Sequence, residues 1–443
     1  VKKLIILIGG GLAIIVLIIM LVVSLTGQKQ TSASTLNFVT YGENVKGLQA
    51  LVVPFEKTNN VKVNFVKKAL TSDYELDSLN SISTGQVDVW GIPNTWLPKH
   101  LDKSTAFNYD YKTNKINQNI LSAYQNVYPV SIVQGNVFNE KIYGLPLSLD
   151  ALVLFRNNAV VSQISYDSSQ NLTYEQKKLL SETPANWADL TAQAKILTKK
   201  DGDKITQSGL AMGTADLPAA SDILTLLMQQ YGTQMTNDAQ SEATFQTSLN
   251  QFGGPAYPGA KALDFYTSFA KKDNPNYSFS TSLGDPIRAF ADGKIAYYVD
   301  YASKAIDINF INSKLGYAIY AVPQLIETRN PVDYIAYETF TVPKTSKNQD
   351  LAWSLLDYLT DPSNSRVDIY FDSASEIPAF ITTKPSGVIG VAAQKAVAWY
   401  NPEATETDKI FRQVISDVLS GANAQTALEA AAVKVTNLLK KIQ

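Results

Sequence analysis

Residues 142–157 read IYGLPLSLDALVLFRN, and the rest of the chain is organised around them. The first half alternates: Leu145, Leu147 and Leu149 fall on one side of an extended chain, and Pro146, Ser148 and Asp150 on the other. The second half does not. Ala151, Leu152, Val153, Leu154 and Phe155 run without a polar break, as in a strand covered on both faces. A strand that passes from half-buried to fully buried leaves a wall that faces a cavity and enters a core. The expectation is a crossover between two lobes, with Ser148 and Asp150 looking into a ligand cleft beside it.

The totals fit that picture. At 443 residues the chain exceeds one hydrophobic core and suits two. Its 45% hydrophobic and 18% charged residues are those of an ordinary globular protein. A net charge of -2 provides no field for gathering nucleic acid. The arginines stand only at 156, 288, 329, 366 and 412, so forked phosphate recognition has little to work with. Cysteine is absent, which excludes disulfides, thiolate nucleophiles and an acylated lipoprotein cysteine. With His100 as the single histidine, mechanisms needing paired imidazoles are excluded too, and no metal or other cofactor is expected. His100 itself reads as a surface residue.

Lys2 and Lys3 precede an uncharged, mostly apolar run from Leu4 to Leu25. At about 1.5 Å per residue such a run crosses a hydrocarbon core of about 30 Å. It is longer than the roughly 7–15 apolar residues of a cleaved leader. A retained transmembrane anchor and linker over 1–35 is the reading, with the lysines inside and the bulk extracytoplasmic.

Thereafter strands and helices alternate. Leu36–Val39, Val61–Phe65 and Gly85–Gly91 read as strands, the last stopping at glycine, and a helix with Leu48, Leu51, Val52 and Phe55 on one face lies between the first two, Pro54 sitting awkwardly in it. This is the rhythm of a mostly parallel sheet, whose ligands bind at the carboxyl ends of strands. Tyr41, Trp90, Asn94 and Trp96 follow such ends. Beyond the crossover Asn186 caps a helix, with Asp189 completing a reciprocal box. Lys199 and Lys200 sit at its negative end, and Gly202 stops it. Asp201-Gly202-Asp203 is read as a turn. Asp216-Leu217-Pro218 leads into a helix from about Ser221 to Tyr231, and residues 236–259 read as a surface loop. Asp285-Pro286 starts another helix. Ile295–Val299 is a strand that delivers Asp300 and Tyr301. Leu315–Gln324 is read as a second crossover, and helices follow at 349–359 and 424–440.

Five stretches then carry a resemblance in register. GQVDVWGIPNTW (85–96), the YG-x-P crossover at Tyr143–Asn157, PANWADL (184–190), FADGKIAYYV (290–299) and Ser346–Pro362 are similar to segments of family 1 extracellular solute-binding proteins, the sugar-type receptors of ABC importers. The resemblance spans about Leu36 to the C terminus. It implies an α/β, two-lobed, periplasmic-binding-protein-like (type II) fold with hinge strands. Lobe 1 is expected over 36–147, regaining about 321–365, and lobe 2 over 148–320, regaining about 366–443. Val87 replaces the family's usual proline, and Arg156 stands where a tyrosine is common.

A sugar has C–H faces that aromatic rings cover and a rim of hydroxyls that carboxylates and amides bind. Tyr41 and Trp96 are the first-lobe ring candidates, and Trp90 is read as core. Asn94 and Asp150 take cleft positions through the matched segments. Asp216, Asp300 and Tyr301 are the second-lobe candidates, and the resemblance directs Tyr277 and Trp399 at the ligand. Trp187 and Trp353 sit on buried helical stripes. No GxSxG, GxxxxGK[ST], HExxH or GxGxxG motif occurs, so catalysis is not expected. The function read is a membrane-tethered receptor that passes a carbohydrate-like ligand to an ABC permease. An anchored carbohydrate-cleaving enzyme and a surface sensor module are the alternatives.

Overall fold

The computed structural model describes residues 34–251, 254–326, 331–361, 363–364, 377–378 and 387–442. The expected anchor, Leu4–Leu25, lies outside the described residues. Among the described residues no helix is long and apolar enough to cross a membrane.

In chain order the main strands are β1 (Ser34–Thr40), β2 (Val61–Lys67), β3 (Val89–Pro93), β4 (Leu145–Pro146), β5 (Ser148–Asn157) and β6 (Lys199–Asp201). They continue with β7 (Lys204–Ala211), β8 (Ile295–Tyr301), β9 (Tyr317–Ala321), β10 (Ile335–Ala336), β11 (Glu338–Thr341) and β12 (Ile377–Pro378). One sheet has the order β2-β1-β3-β11-β4, with β1 parallel to β2 and β3, and β11 antiparallel to its neighbours. The other runs β6-β7-β8-β5-β9, and both β10 and β12 pair with β5. Helices cover the sheets and each has its own apolar core, so the fold is α/β with two lobes.

Strand β5 ties the lobes together. Leu149 and Ala151 belong to the core of the first lobe, and Leu152 to Phe155 to that of the second. Between them Asp150 pairs with Ala336 of β10. The expected alternation is only partly kept: Pro146 and Ser148 are buried as well, and Asp150 alone is half-exposed. Ser148 does not look into a cavity. Its hydroxyl donates to Glu43 Oε1 at 2.7 Å inside the first lobe.

Local chemistry explains the other departures. Pro54 cannot donate to a preceding turn, so the helix expected over 48–55 divides into Val45–Leu51 and Val53–Asn59, with the proline in the first turn of the second. The helix from Trp187 ends at Leu197, before the lysines; Lys199 and Lys200 lie in β6, and Gly202 (φ +57°) turns a hairpin into β7. The capping box is modified too: Asn186 Oδ1 accepts from Asp189 N at 2.9 Å, but Asp189 accepts from the Asn186 amide rather than from the backbone. Leu249–Gln251 and Gly254–Ala256 form a small hairpin inside the expected 236–259 loop. Residues 317–321 stay in the second sheet beside β5 instead of crossing; the chain returns through β10 into β11. Near the C terminus, Ala392 and Ala393 of the helix Gly387–Lys395 enter the core of the first lobe.

Two of the matched segments meet in the first lobe. Asp88, in the turn before β3, is buried and accepts from Asn37 N (2.9 Å), Ser346 Oγ (2.6 Å) and Asn348 Nδ2 (3.1 Å). A buried carboxylate with this many donors pins the start of the Gln349–Thr360 helix to the sheet.

Candidate functional site

At the carboxyl end of β8, next to the crossing strand, three acids and three tyrosines gather. Asp300 and Tyr301 pair with Val153 and Leu152 of β5. Asp150 accepts from Ala151 N at 2.7 Å and, through its other oxygen, from Ser303 N at 3.2 Å, so the loop after β8 is held against the crossing strand. Asp300 is buried and accepts from Tyr301 N at 2.8 Å and from the Tyr298 hydroxyl. Tyr301 Oη donates at 2.8 Å to Asp222 Oδ2, in the first turn of the helix Ala220–Gln230. Tyr334, just before β10, lies beside the same carboxylate. Burial raises the pKa of Asp150, Asp222 and Asp300 above the ordinary carboxylate value, against the hydrogen bonds that lower it.

On the first lobe the ends of β1 and β3 enclose Glu338 of β11. Its carboxylate accepts from Thr40 Oγ1 (2.8 Å), Tyr41 N (2.9 Å) and Gly42 N (3.0 Å), yet burial pushes its pKa up to about 7. Gly91 makes room for it: a Cβ there would stand 1.9 Å from Glu338 Oε1. Tyr41, held by this nest, is half-buried, with its ring edge-on to Tyr74 at 5.8 Å. Asn94, also half-buried, donates its N–H to Tyr337 O at 3.1 Å, and its Oδ1 accepts from Tyr337 N at 3.4 Å.

The sequence candidates therefore divide. Asp150, Asp300 and Tyr301 form one cluster, and Tyr41 and Asn94 stand at strand ends of the other lobe. Trp96 is 8% exposed and packs with Trp90, Tyr74 and Val39. Asp216 is exposed and does not cap the following helix, which starts at Ala220; Arg412 holds its turn by donating to Leu217 O and Pro218 O at 2.9 and 2.7 Å. Tyr277 is buried beneath the Lys200 ammonium, 4.7 Å from its ring centroid, and lines a pocket of about 420 Å³ with Thr214, Lys271 and Lys272. That pocket takes in none of the other candidates. Trp399 is half-buried and stacks on Phe411 at 6.4 Å.

Asp222, Tyr334 and Glu338 were not among the sequence candidates. An aspartate in a first helical turn reads as a favourable charge at the helix dipole, which hides any other role. His100 is a correction: it is 1% exposed, its Nε2 lies 2.8 Å from Glu75 Oε1, and its ring packs on Trp90. Arg156 donates to Leu180 O at 2.8 Å from the far end of β5, and Arg288 is exposed on the helix Pro286–Ala291 that precedes β8. Among the described residues no group of three or more Asp, Glu or His could hold a metal ion.

The chain is similar to known proteins over most of its length. It is 22% identical to the galactooligosaccharide-binding protein of Bacillus subtilis over 411 residues, 90% of this chain and 88% of that one. The sugar-binding protein MalE from Xanthomonas citri superposes with a TM-score of 0.70 at 17% identity, over 92% of this chain and 98% of that one. The cyclic alpha-maltosyl-1,6-maltose binding protein from Arthrobacter globiformis gives 0.70 at 16% identity, over 92% and 100%. The profile for bacterial extracellular solute-binding proteins matches residues 41–365. The chain belongs to this family, which is one of binding proteins and not of enzymes.

Proposed function

We propose that this protein is a membrane-tethered, extracytoplasmic receptor. In this reading it binds a neutral, hydroxyl-rich solute, a sugar or oligosaccharide, between its lobes and delivers it to an ABC permease. The lobes are taken as 36–147 with 321–365, and 148–320 with 366–443, preceded by the Leu4–Leu25 anchor. The observation that carries the reading is the gathering of Asp150, Asp222, Asp300 and Tyr301 at strand ends beside the crossing strand. Carboxylates and phenols suit hydroxyl groups, and Tyr41 and Asn94 supply a ring face and an amide from the other lobe. Neither Arg156 nor Arg288 is at hand for an anion. The names of the relatives, which refer to galactooligosaccharides and other sugars, favour the same solute class.

Hydroxyl bonding would set the choice of sugar, since a buried acceptor left unpaired costs about 1–3 kcal/mol. Ligand contacts from both lobes would stabilise a closed arrangement by their differential affinity. Isothermal titration with a panel of neutral mono- and oligosaccharides should give saturable heat for at least one of them. A flat response across the panel refutes the receptor reading, and release of smaller sugars during incubation would replace it with a hydrolase.

A further inference from the structure

The lobes touch at a second place, through charge. Lys99 belongs to the first lobe, in the 3-10 helix Asn94–His100 that follows β3. Its ammonium lies 2.9 Å from Glu75 Oε1 in the same lobe and 3.1 Å from Glu403 Oε2. Glu403 immediately precedes the helix Ala404–Leu419, whose Phe411, Val414, Ile415 and Val418 are in the core of the second lobe. Ala404, the first residue of that helix, packs against the first-lobe cluster of Trp90 and Trp96. The three charged side chains are each a quarter exposed or less, and His100 closes the network from inside through Glu75.

The geometry points to an ionic latch: we propose that Lys99, shared between Glu75 and Glu403, holds the two lobes together when the cleft is empty as well as when it is filled. The inference rests on the receptor reading only for the hinge motion. Lys99 and Glu75 keep each other in any arrangement, because both belong to one lobe. The Lys99–Glu403 bond exists only while the lobes are together, and opening returns both groups to water. Its free energy therefore falls on the closed state alone and sets how readily the protein opens. A partly covered ion pair of this kind shifts such a balance by about three- to fivefold.

The chain has no cysteine, so Leu70→Cys and Val433→Cys, exposed positions in the first and second lobes, accept one spin label each in the full chain in nanodiscs. Pulsed dipolar distances then give the open-to-closed ratio with no sugar present. The expected result is a ratio about three- to fivefold higher in Glu403→Gln and in Lys99→Met than in the parent, with a smaller change in Glu75→Gln. An unchanged ratio, a parent that is wholly open, or a variant as fully closed as the parent overturns the latch. If Glu403→Gln opens a protein that binds no sugar, the ligand reading falls and the latch stands. A sugar binder whose ratio does not move has the receptor function without the latch.

Discussion

Replacing Glu338 by glutamine should flatten the pH dependence of stability between about pH 4.5 and pH 7. Glu338 is 5% exposed, and its folded-state pKa is about 7 against a reference of 4.5. With the folded value above the unfolded one, the native state holds the extra proton. The contribution is complete below pH 4.5 and is lost as pH rises through about 7. A shift of about 2.5 units at 1.36 kcal/mol each sets a ceiling of about 3 kcal/mol. Asp333 and Asp357, each raised to about 6 by burial, add slope of the same sign. Glu75 acts oppositely: its pKa is lowered to about 2, first by the His100 hydrogen bond, so its stabilisation is lost only as pH falls below 4.5. The glutamine fills the same space but turns its NH2 toward one of the Tyr41 and Gly42 N–H donors, a loss of about 1 kcal/mol at every pH. Urea unfolding at pH 5, 6, 7 and 8, followed by tryptophan fluorescence, measures both effects. The parent should lose stability across the series, and the variant should start lower and lose about 2–3 kcal/mol less. Parallel profiles for the two proteins would mean that Glu338 takes up no extra proton on folding.

Gly91→Ala should destabilise the first lobe by about 3 kcal/mol, because the new methyl overlaps Glu338 Oε1 and stands 2.8 Å from Phe340 Cε1; urea unfolding reads the loss. Asp150→Asn replaces one acceptor oxygen by an NH2 group, and should weaken sugar binding about tenfold in titration calorimetry while lowering stability by about 1 kcal/mol through the lost bond to Ser303 N. Tyr301→Phe removes the hydroxyl that donates to Asp222 Oδ2, and should lower stability by about 1 kcal/mol in urea unfolding.

Much of the second lobe was legible because its signals are local. Asp285 accepts from Arg288 N with proline in the first turn, and the apolar run of Ile295 to Val299 ends by placing Asp300 and Tyr301 beside Asp150. The 424–440 helix appears with the bounds read from its stripe. What stayed hidden depends on partners distant in sequence. Glu338-Thr339-Phe340-Thr341 has three polar residues out of four, yet all four are buried because the strand is covered on both faces. The nest that holds Glu338 comes from residues nearly 300 positions earlier. His100 has a charged partner 25 residues away and an aromatic neighbour, neither of which its flanking Lys-His-Leu discloses. Lys199-Lys200-Asp201-Gly202 suits a helix end and a hairpin equally well, and the sheet edge beside β7 decided for the hairpin.

The position of β11 has a consequence for biogenesis. It lies between β3 and β4, both of which precede the whole second lobe in the chain. At translation rates of about 5–20 residues per second, roughly 10–50 s separate the emergence of β3 from that of the strand that must sit beside it. During that interval the nascent first lobe has a sheet with an open seam, its backbone donors and acceptors facing whatever is near. Such a half-domain cannot close before that strand emerges, so the polypeptide stays threadable until about three-quarters of it has been made.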